Sequence, residues 1–104
     1  MGRTSGPDRM WNGFGWDPPK AAYNLKEHGV AFEEAQSVFD DPLSRTIHDP
    51  DHSYGEERYL TMGLCTSGRL LVVCHCDRGD KIWLISARDA EGHERRAYEN
   101  RPSV

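Results

Sequence analysis

The hydrophobic period of this chain changes once, at Asp40-Asp41-Pro42, and that change constrains the fold more than any other feature. Before it, apolar residues recur at helical spacing, as Phe32, Ala35, Val38 and Phe39 do. After it they alternate with a period of two. Asp17-Pro18 supplies a helix N-cap followed by proline at the first helical position, and Gly29 supplies the stop, so a first helix is predicted over Pro18 to His28. A short strand at Phe14-Gly15-Trp16 precedes it, and a second short helix ends at Asp40-Asp41-Pro42. Strands are predicted over about 43–49, 56–64, 69–76 and 80–87, with a last helix over about 90–100 ended before Pro102. The expectation is an α+β domain with a mainly antiparallel sheet of four to five strands, two N-terminal helices and one C-terminal helix. Residues 14–100 form the single domain, 1–13 read as a flexible N-terminal extension, and 101–104 as a tail.

Turn chemistry then decides which side chains share a face. Thr66-Ser67-Gly68 and Asp77-Arg78-Gly79 each fit a three-residue hairpin loop with a left-handed glycine at its last position. Counting back from these loops places Leu60, Met62, Leu64, Leu70, Val72, Cys74, Ile82 and Leu84 on the face that the helices cover. Glu57, Tyr59, Thr61, Arg69, Leu71, Val73, His75, Lys81, Trp83 and Ile85 fall on the opposite face, with Tyr59 beside His75 and His75 beside Lys81. A one-residue change in either loop would exchange the faces of a strand.

Charge bears on the partner. The formal net charge of −4 argues against a chain that lives on phosphate backbones. The charge is unevenly divided, however: residues 1–57 hold 5 basic and 11 acidic side chains, whereas residues 58–104 hold 8 and 6. Any polyanion would meet the second half. No apolar run reaches the ~18–20 residues of a membrane span, and the N-terminus has no apolar signal region, which predicts a soluble cytoplasmic protein. Three cysteines are too few for a disulfide scaffold. Cys74-His75-Cys76 suggests a metal at first sight, but on a strand the thiols and the imidazole point to opposite faces, so no metal and no cofactor are expected.

A series of short matches runs through the domain. Trp16-Asp17-Pro18-x-Lys20, Asn24, Lys26-x-His28-Gly29-Val30, Phe32-Glu33-Glu34-Ala35 and Phe39-x-Asp41-Pro42 occupy the first half. His52-Ser53, Glu56-Glu57-Arg58, Gly63, Gly68-Arg69-Leu70-Leu71, Arg78-Gly79-Asp80, Ile85-Ser86-Ala87-Arg88, Glu94-Arg95 and Tyr98-Glu99 follow in order. In this series the chain resembles the BrnT toxin family over residues 14–99. The resemblance implies a RelE-like compact fold and a ribonuclease toxin of a type II toxin–antitoxin module. It further implies a BrnA-like antitoxin partner in a hetero-oligomer, with operator DNA reached only through that complex. Two positions depart from the family pattern: Trp83 stands where a basic residue is usual, and Ala31 where Ser or Thr caps the second helix. The lost cap costs on the order of 1 kcal/mol.

Metal-independent RNA cleavage needs a base for the 2′-hydroxyl, an acid for the leaving 5′-oxygen and cations for the charge that develops on phosphate. His75 and Glu57 are the expected acid–base groups, and Arg69 the catalytic cation. Lys81 and Arg88 are expected to bind phosphate, Tyr59 and Trp83 to stack on bases, and His52 to reach RNA from its turn-rich loop. Arg58 and Arg88 have the parity of the covered face, and there ion pairing to a helix is their expected use. Lys20, Asn24 and His28 form one polar stripe on the first helix, which either faces solvent or borders the substrate groove. The competing expectation is a catalytically degenerate toxin that only grips its antitoxin and takes part in operon autoregulation.

Overall fold

In the computed structural model, residues 13–52 and 55–100 are described. The order of elements is β1 (Phe14–Gly15), α1 (Pro18–His28), α2 (Phe32–Ala35), β2 (Arg45–His48), β3 (Tyr59–Leu64), β4 (Leu70–Arg78), β5 (Lys81–Asp89) and α3 (Gly92–Glu99). Short 3-10 turns follow α2 at Gln36–Asp40 and β2 at Pro50–His52. The extension through residue 12 and the tail 101–104 lie outside the described residues.

One mixed sheet carries the fold, in the order β1-β5-β4-β3-β2. Only β1 is parallel to its neighbour. α1 begins and ends where proline and glycine require, with Gly29 at φ 69° and its N–H donated to the Leu25 carbonyl. α2 starts at Ala31 without a side-chain cap. α3 has a reciprocal capping box between Glu91 and Glu94, and Arg88 reaches from β5 to grip the same Glu94 at 2.8 and 2.9 Å.

Register explains which face is dry. The β3–β4 loop is the expected three-residue one, so Leu64 pairs with Leu70 and Tyr59 with His75. The β4–β5 loop is not. Arg78 pairs directly with Lys81, and the turn is Gly79-Asp80 with Gly79 at φ 60°. This glycine-first, two-residue loop is the pattern of a type II′ hairpin turn, and it keeps Arg78 at negative φ. A bulge between Cys74 and His75 then leaves Ile85 unpaired, because His75 faces Leu84 while Cys74 faces Ser86.

The helices cover the opposite face of β3 and β4 from the one expected, and the two irregularities re-aim the side chains of β5 as well. The helices α1 and α2 cover the face that carries Leu71, Val73, Ile82, Leu84 and Ala87, and these pack against Val30, Phe32, Ala35 and Val38. His75 and Thr61 belong to that covered face, not to an open one. The opposite face carries Leu60, Met62, Val72, Cys74 and Trp83, with α3 lying over its β2–β3 end through Glu94 and Ala97.

Asn24 joins the layers. It is 3% exposed, and its Nδ2 donates to the carbonyls of Val30 and Ala87, each at 2.9 Å, while its Oδ1 accepts the Ala87 N–H at 3.0 Å. The carboxamide thus takes the place of a neighbouring strand beside β5. The polar stripe expected on α1 is therefore divided: Asn24 faces inward, whereas Lys20 and His28 remain exposed.

Replacing Asn24 by Ala strands three buried backbone groups and is expected to lower unfolding free energy by about 3 kcal/mol in urea denaturation. Asn24→Asp keeps the acceptor but sets a carboxylate against two carbonyls. At neutral pH it should be no more stable than the Ala variant, and a wild-type midpoint for either would remove Asn24 from this role.

Candidate functional site

The part of the outer face that α3 leaves open is a shallow cleft. Its volume is about 320 Å³, and Asp17, Lys20, Arg58, Arg78, Trp83 and Ile85 line it. Four separate pieces of chain meet there. Lys20 comes from the first turns of α1, Arg58 from the approach to β3, Arg78 from the end of β4, and Trp83 and Ile85 from β5. A second hollow of about 270 Å³ continues along β5 and shares Arg58 and Ile85 with the first, adding Asp49, Ser86 and Arg88.

The bulge makes this continuity possible. Residues 83 and 88 have opposite parity and would sit on opposite faces of a regular strand. With Ile85 as the extra residue, Trp83 pairs with Cys76 and Arg88 with Val72, both on the outer face. Bulges re-aim side chains in this way beside functional sites.

Arg78 is held on two sides. Its guanidinium lies over the Trp83 ring at 4.9 Å from the centroid, and Glu56 accepts from Nη2 at 3.0 Å and Nε at 3.4 Å. That bond from Arg78 is also the main reason the Glu56 carboxyl lies below its ordinary range. On its other side Trp83 abuts β1. A Cβ on Gly15 would stand 2.7 Å from the ring, so the indole in this position leaves room for glycine alone.

The residues expected to act together are separated. His75 is 6% exposed, with Nε2 bonded to Thr61 Oγ1 at 2.7 Å and Nδ1 without a hydrogen-bond partner among the described residues. Burial pushes its pKa down to about 4, so at neutral pH the ring is uncharged. It packs edge-on to Phe39 and stacks on Tyr59, and with Thr46 and Asp77 these residues line a separate hollow of about 380 Å³ on the covered side. Glu57 is exposed and pairs closely with His48, whose ring in turn packs on Tyr59.

Arg69 lies six residues from His75 along β4, roughly 20 Å away at about 3.3 Å per residue. It is engaged in structure: Asp89 accepts from Nη2 and Nε at 3.0 and 3.2 Å, and the Gly29 carbonyl accepts from Nη1 at 3.0 Å. The hydrogen bond to Asp89 holds its pKa above the ordinary value. His75, Glu57 and Arg69 thus do not converge, and Tyr59 stays with His75. Trp83, Lys81 and Arg88 share the outer face, although Arg88 spends both Nη groups on Glu94. His52 ends the 3-10 turn after β2, and its side chain lies outside the described atoms. Cys74 and Cys76 point to the outer face and His75 to the covered one, as strand alternation requires.

Of the cleft cations, sequence reasoning leaves Lys20 either facing solvent or bordering the groove, expects Arg58 to pair with a helix, and gives Arg78 no role. The signal for Arg78 lies in Arg78-Gly79-Asp80, where glycine fits the first central position of a two-residue turn. That reading puts Trp83 beside Arg78 on the outer face.

The family model for the ribonuclease toxin BrnT of type II toxin–antitoxin systems matches residues 16–94. The chain belongs to the BrnT family. A similar solved structure is the 1.1 Å crystal structure of the Brucella abortus ribonuclease toxin BrnT, at 20% sequence identity and a TM-score of 0.59. The match covers 76% of this chain and 96% of the Brucella chain, and supports the α+β fold. A comparison with curated protein sequences finds no match. Membership makes this BrnT chain a ribonuclease toxin with an antitoxin partner, and the family match takes in every residue that lines the two hollows. Among the described residues, no helix is long and apolar enough to cross a membrane.

The neutral His75 ties folding to pH. Its pKa is near 6.5 when unfolded and about 4 when folded, so the unfolded chain takes up the proton first as pH falls. Its contribution is complete above about pH 6.5 and is lost progressively toward pH 4, with about 2 kcal/mol lost between pH 7.5 and 5. Urea midpoints should show that loss for the wild type and a correspondingly smaller one for His75→Phe. Equal pH dependence in both proteins would exclude a depressed His75 pKa.

Proposed function

We propose that the chain cleaves single-stranded RNA without a metal ion, at the cleft lined by Lys20, Arg58 and Arg78. The observation that carries this reading is the convergence of three cations from three separate elements on one open cleft. In transesterification, the 2′-oxygen forms a bond to phosphorus as the bond to the 5′-oxygen breaks. One proton leaves the 2′-hydroxyl and one is delivered to the departing 5′-oxygen. The non-bridging oxygens gain negative charge on the way, and cations held in place beforehand stabilise that charge most.

The roles divide by chemistry. Arginine does not release its proton, so Arg58 and Arg78 supply charge and hydrogen bonds to the phosphate. Asp17 and Lys20, close together at the start of α1, are the cleft groups that take the proton from the 2′-hydroxyl and return one to the 5′-oxygen. This moves proton transfer away from His75 and Glu57, which approach from the covered side of the sheet. Lys81, on the same outer face of β5, extends the binding surface beyond the cleft. The protein partner is a BrnA-like antitoxin, and cleavage in its absence inhibits translation and growth.

Purified protein incubated with RNA in EDTA should still cleave it, leaving 2′,3′-cyclic phosphate and 5′-hydroxyl ends. Loss of cleavage in chelator, or 5′-phosphate ends, would sink the mechanism. Arg58→Ala should lower kcat/KM about 100-fold without changing the urea midpoint as Asn24→Ala does. Expression without antitoxin should arrest growth; harmless expression would favour the antitoxin-gripping module instead.

Contact with about three phosphates of a single strand also sets the salt response. The logarithm of RNA affinity should fall with the logarithm of salt concentration at a slope of about −2. A slope near zero in a filter-binding titration would rule out phosphate contacts by these three cations.

A further inference from the structure

Trp83 stands in the middle of the cationic cleft, yet its surroundings do not fit a platform for RNA bases. One side of the indole abuts Gly15 so closely that even a methyl group there would stand 2.7 Å from the ring. The Arg78 guanidinium lies over the ring, 4.9 Å from its centroid. Glu56 holds that guanidinium from its edge through Nε and Nη2.

We propose that Trp83 is a positioning residue, which, with Glu56, clamps Arg78 in the orientation that meets the scissile phosphate. The inference rests on the cleft being the site of RNA cleavage. Three features of the geometry carry it. A guanidinium is planar and has five N–H donors; Glu56 takes two, so the group has further donors with which to meet a phosphate. An indole face attracts the cation without using any of these donors, so it restricts the plane of the group while leaving its hydrogen bonds free. The glycine at position 15 gives the indole a backbone wall, which stops it from turning away from Arg78.

The clamp has a chemical purpose. Arg78 ends β4 beside the Gly79-Asp80 turn, and its side chain is about half exposed. A free arginine there would sample many rotamers, and each would have to be given up when the phosphate binds. Stacked and hydrogen-bonded, it is already in place, and charge that is in place before reaction lowers the barrier more than charge that must reorganise.

Steady-state kinetics on a defined RNA oligonucleotide test this with Trp83→Leu, Trp83→Phe, Arg78→Ala and the Trp83→Leu/Arg78→Ala double variant. Trp83→Leu is expected to lower kcat about tenfold with KM within about twofold. Trp83→Phe, which keeps an aromatic face, should recover most of the loss. In the Arg78→Ala background the Leu substitution should have almost no further effect. Additive losses in the double variant, or a rise in KM alone, would overturn the clamp, the second by making Trp83 a stacking surface for bases.

A direct readout separates the clamp from the reaction. In NMR spectra, the Arg78 side-chain N–H resonance should carry a ring-current shift that disappears in Trp83→Leu while the amide spectrum stays folded. If wild-type protein cleaves no RNA but the shift is present, the cleavage reading fails and the clamp survives. If RNA is cleaved and the shift is absent, the clamp alone is wrong.

Discussion

One extra residue in β5 is the constraint on which the candidate site depends. A strand alternates its side chains without exception, so positions 83 and 88 cannot share a face unless something breaks the count. Ile85 breaks it, opposite the step between Cys74 and His75. Toward the hairpin tip, the bulge turns Ile82 and Leu84 into the core and Trp83 out to the cleft. Beyond it, Ala87 goes in and Arg88 comes out. Both layers are therefore served by one irregularity: the core keeps apolar residues on each side of the bulge, and the outer face gathers its polar ones into a continuous groove.

That separation of faces is held by a few polar contacts, the most buried of them made by Asn24. Asn24 satisfies a strand edge and the loop after α1 with one carboxamide. Asp41 does comparable work at the other end, accepting from the Leu64 and Leu43 N–H groups and from the Tyr98 hydroxyl, so that α3 is tied to the turn before β2. Arg69 joins Asp89 on β5 to the end of α1. Ionic side chains near the sheet thus divide into two kinds. Arg69 and Arg88 pair with carboxylates away from the cleft, while Lys20, Arg58 and Arg78 line it, Arg78 with two of its donors on Glu56.

Much of this is legible in the sequence, and what is not has two physical sources. The helix ends at Pro18 and Gly29, the order of elements and the β3–β4 register follow from proline, glycine and periodicity, which act locally. The pairing of Tyr59 with His75 is readable for the same reason. Which face the helices cover is not local: it depends on where Val30, Phe32 and Val38 land after two turns of chain. The Gly79-Asp80 turn and the bulge at Ile85 add the second difficulty, since each changes parity and neither leaves a mark in the hydrophobic pattern. Arg69 shows the limit most clearly. As a residue type it suits phosphate, but Asp89 and Gly29, distant in sequence, had already claimed it. The family resemblance identified the activity while leaving this three-dimensional assignment open.

Cys74 lines the groove with Arg58, and the charges of Arg58 and Lys20 would by themselves favour a reactive thiolate. Burial outweighs them and holds the Cys74 thiol above its ordinary pKa; burial does the same for Cys76. Oxidants and alkylating agents attack the thiolate, so both sulfurs stay inert while the fold is intact. A charged groove of this kind can therefore be built over cysteine without becoming a redox sensor, and rapid labelling of these thiols would mark unfolded chains rather than native ones.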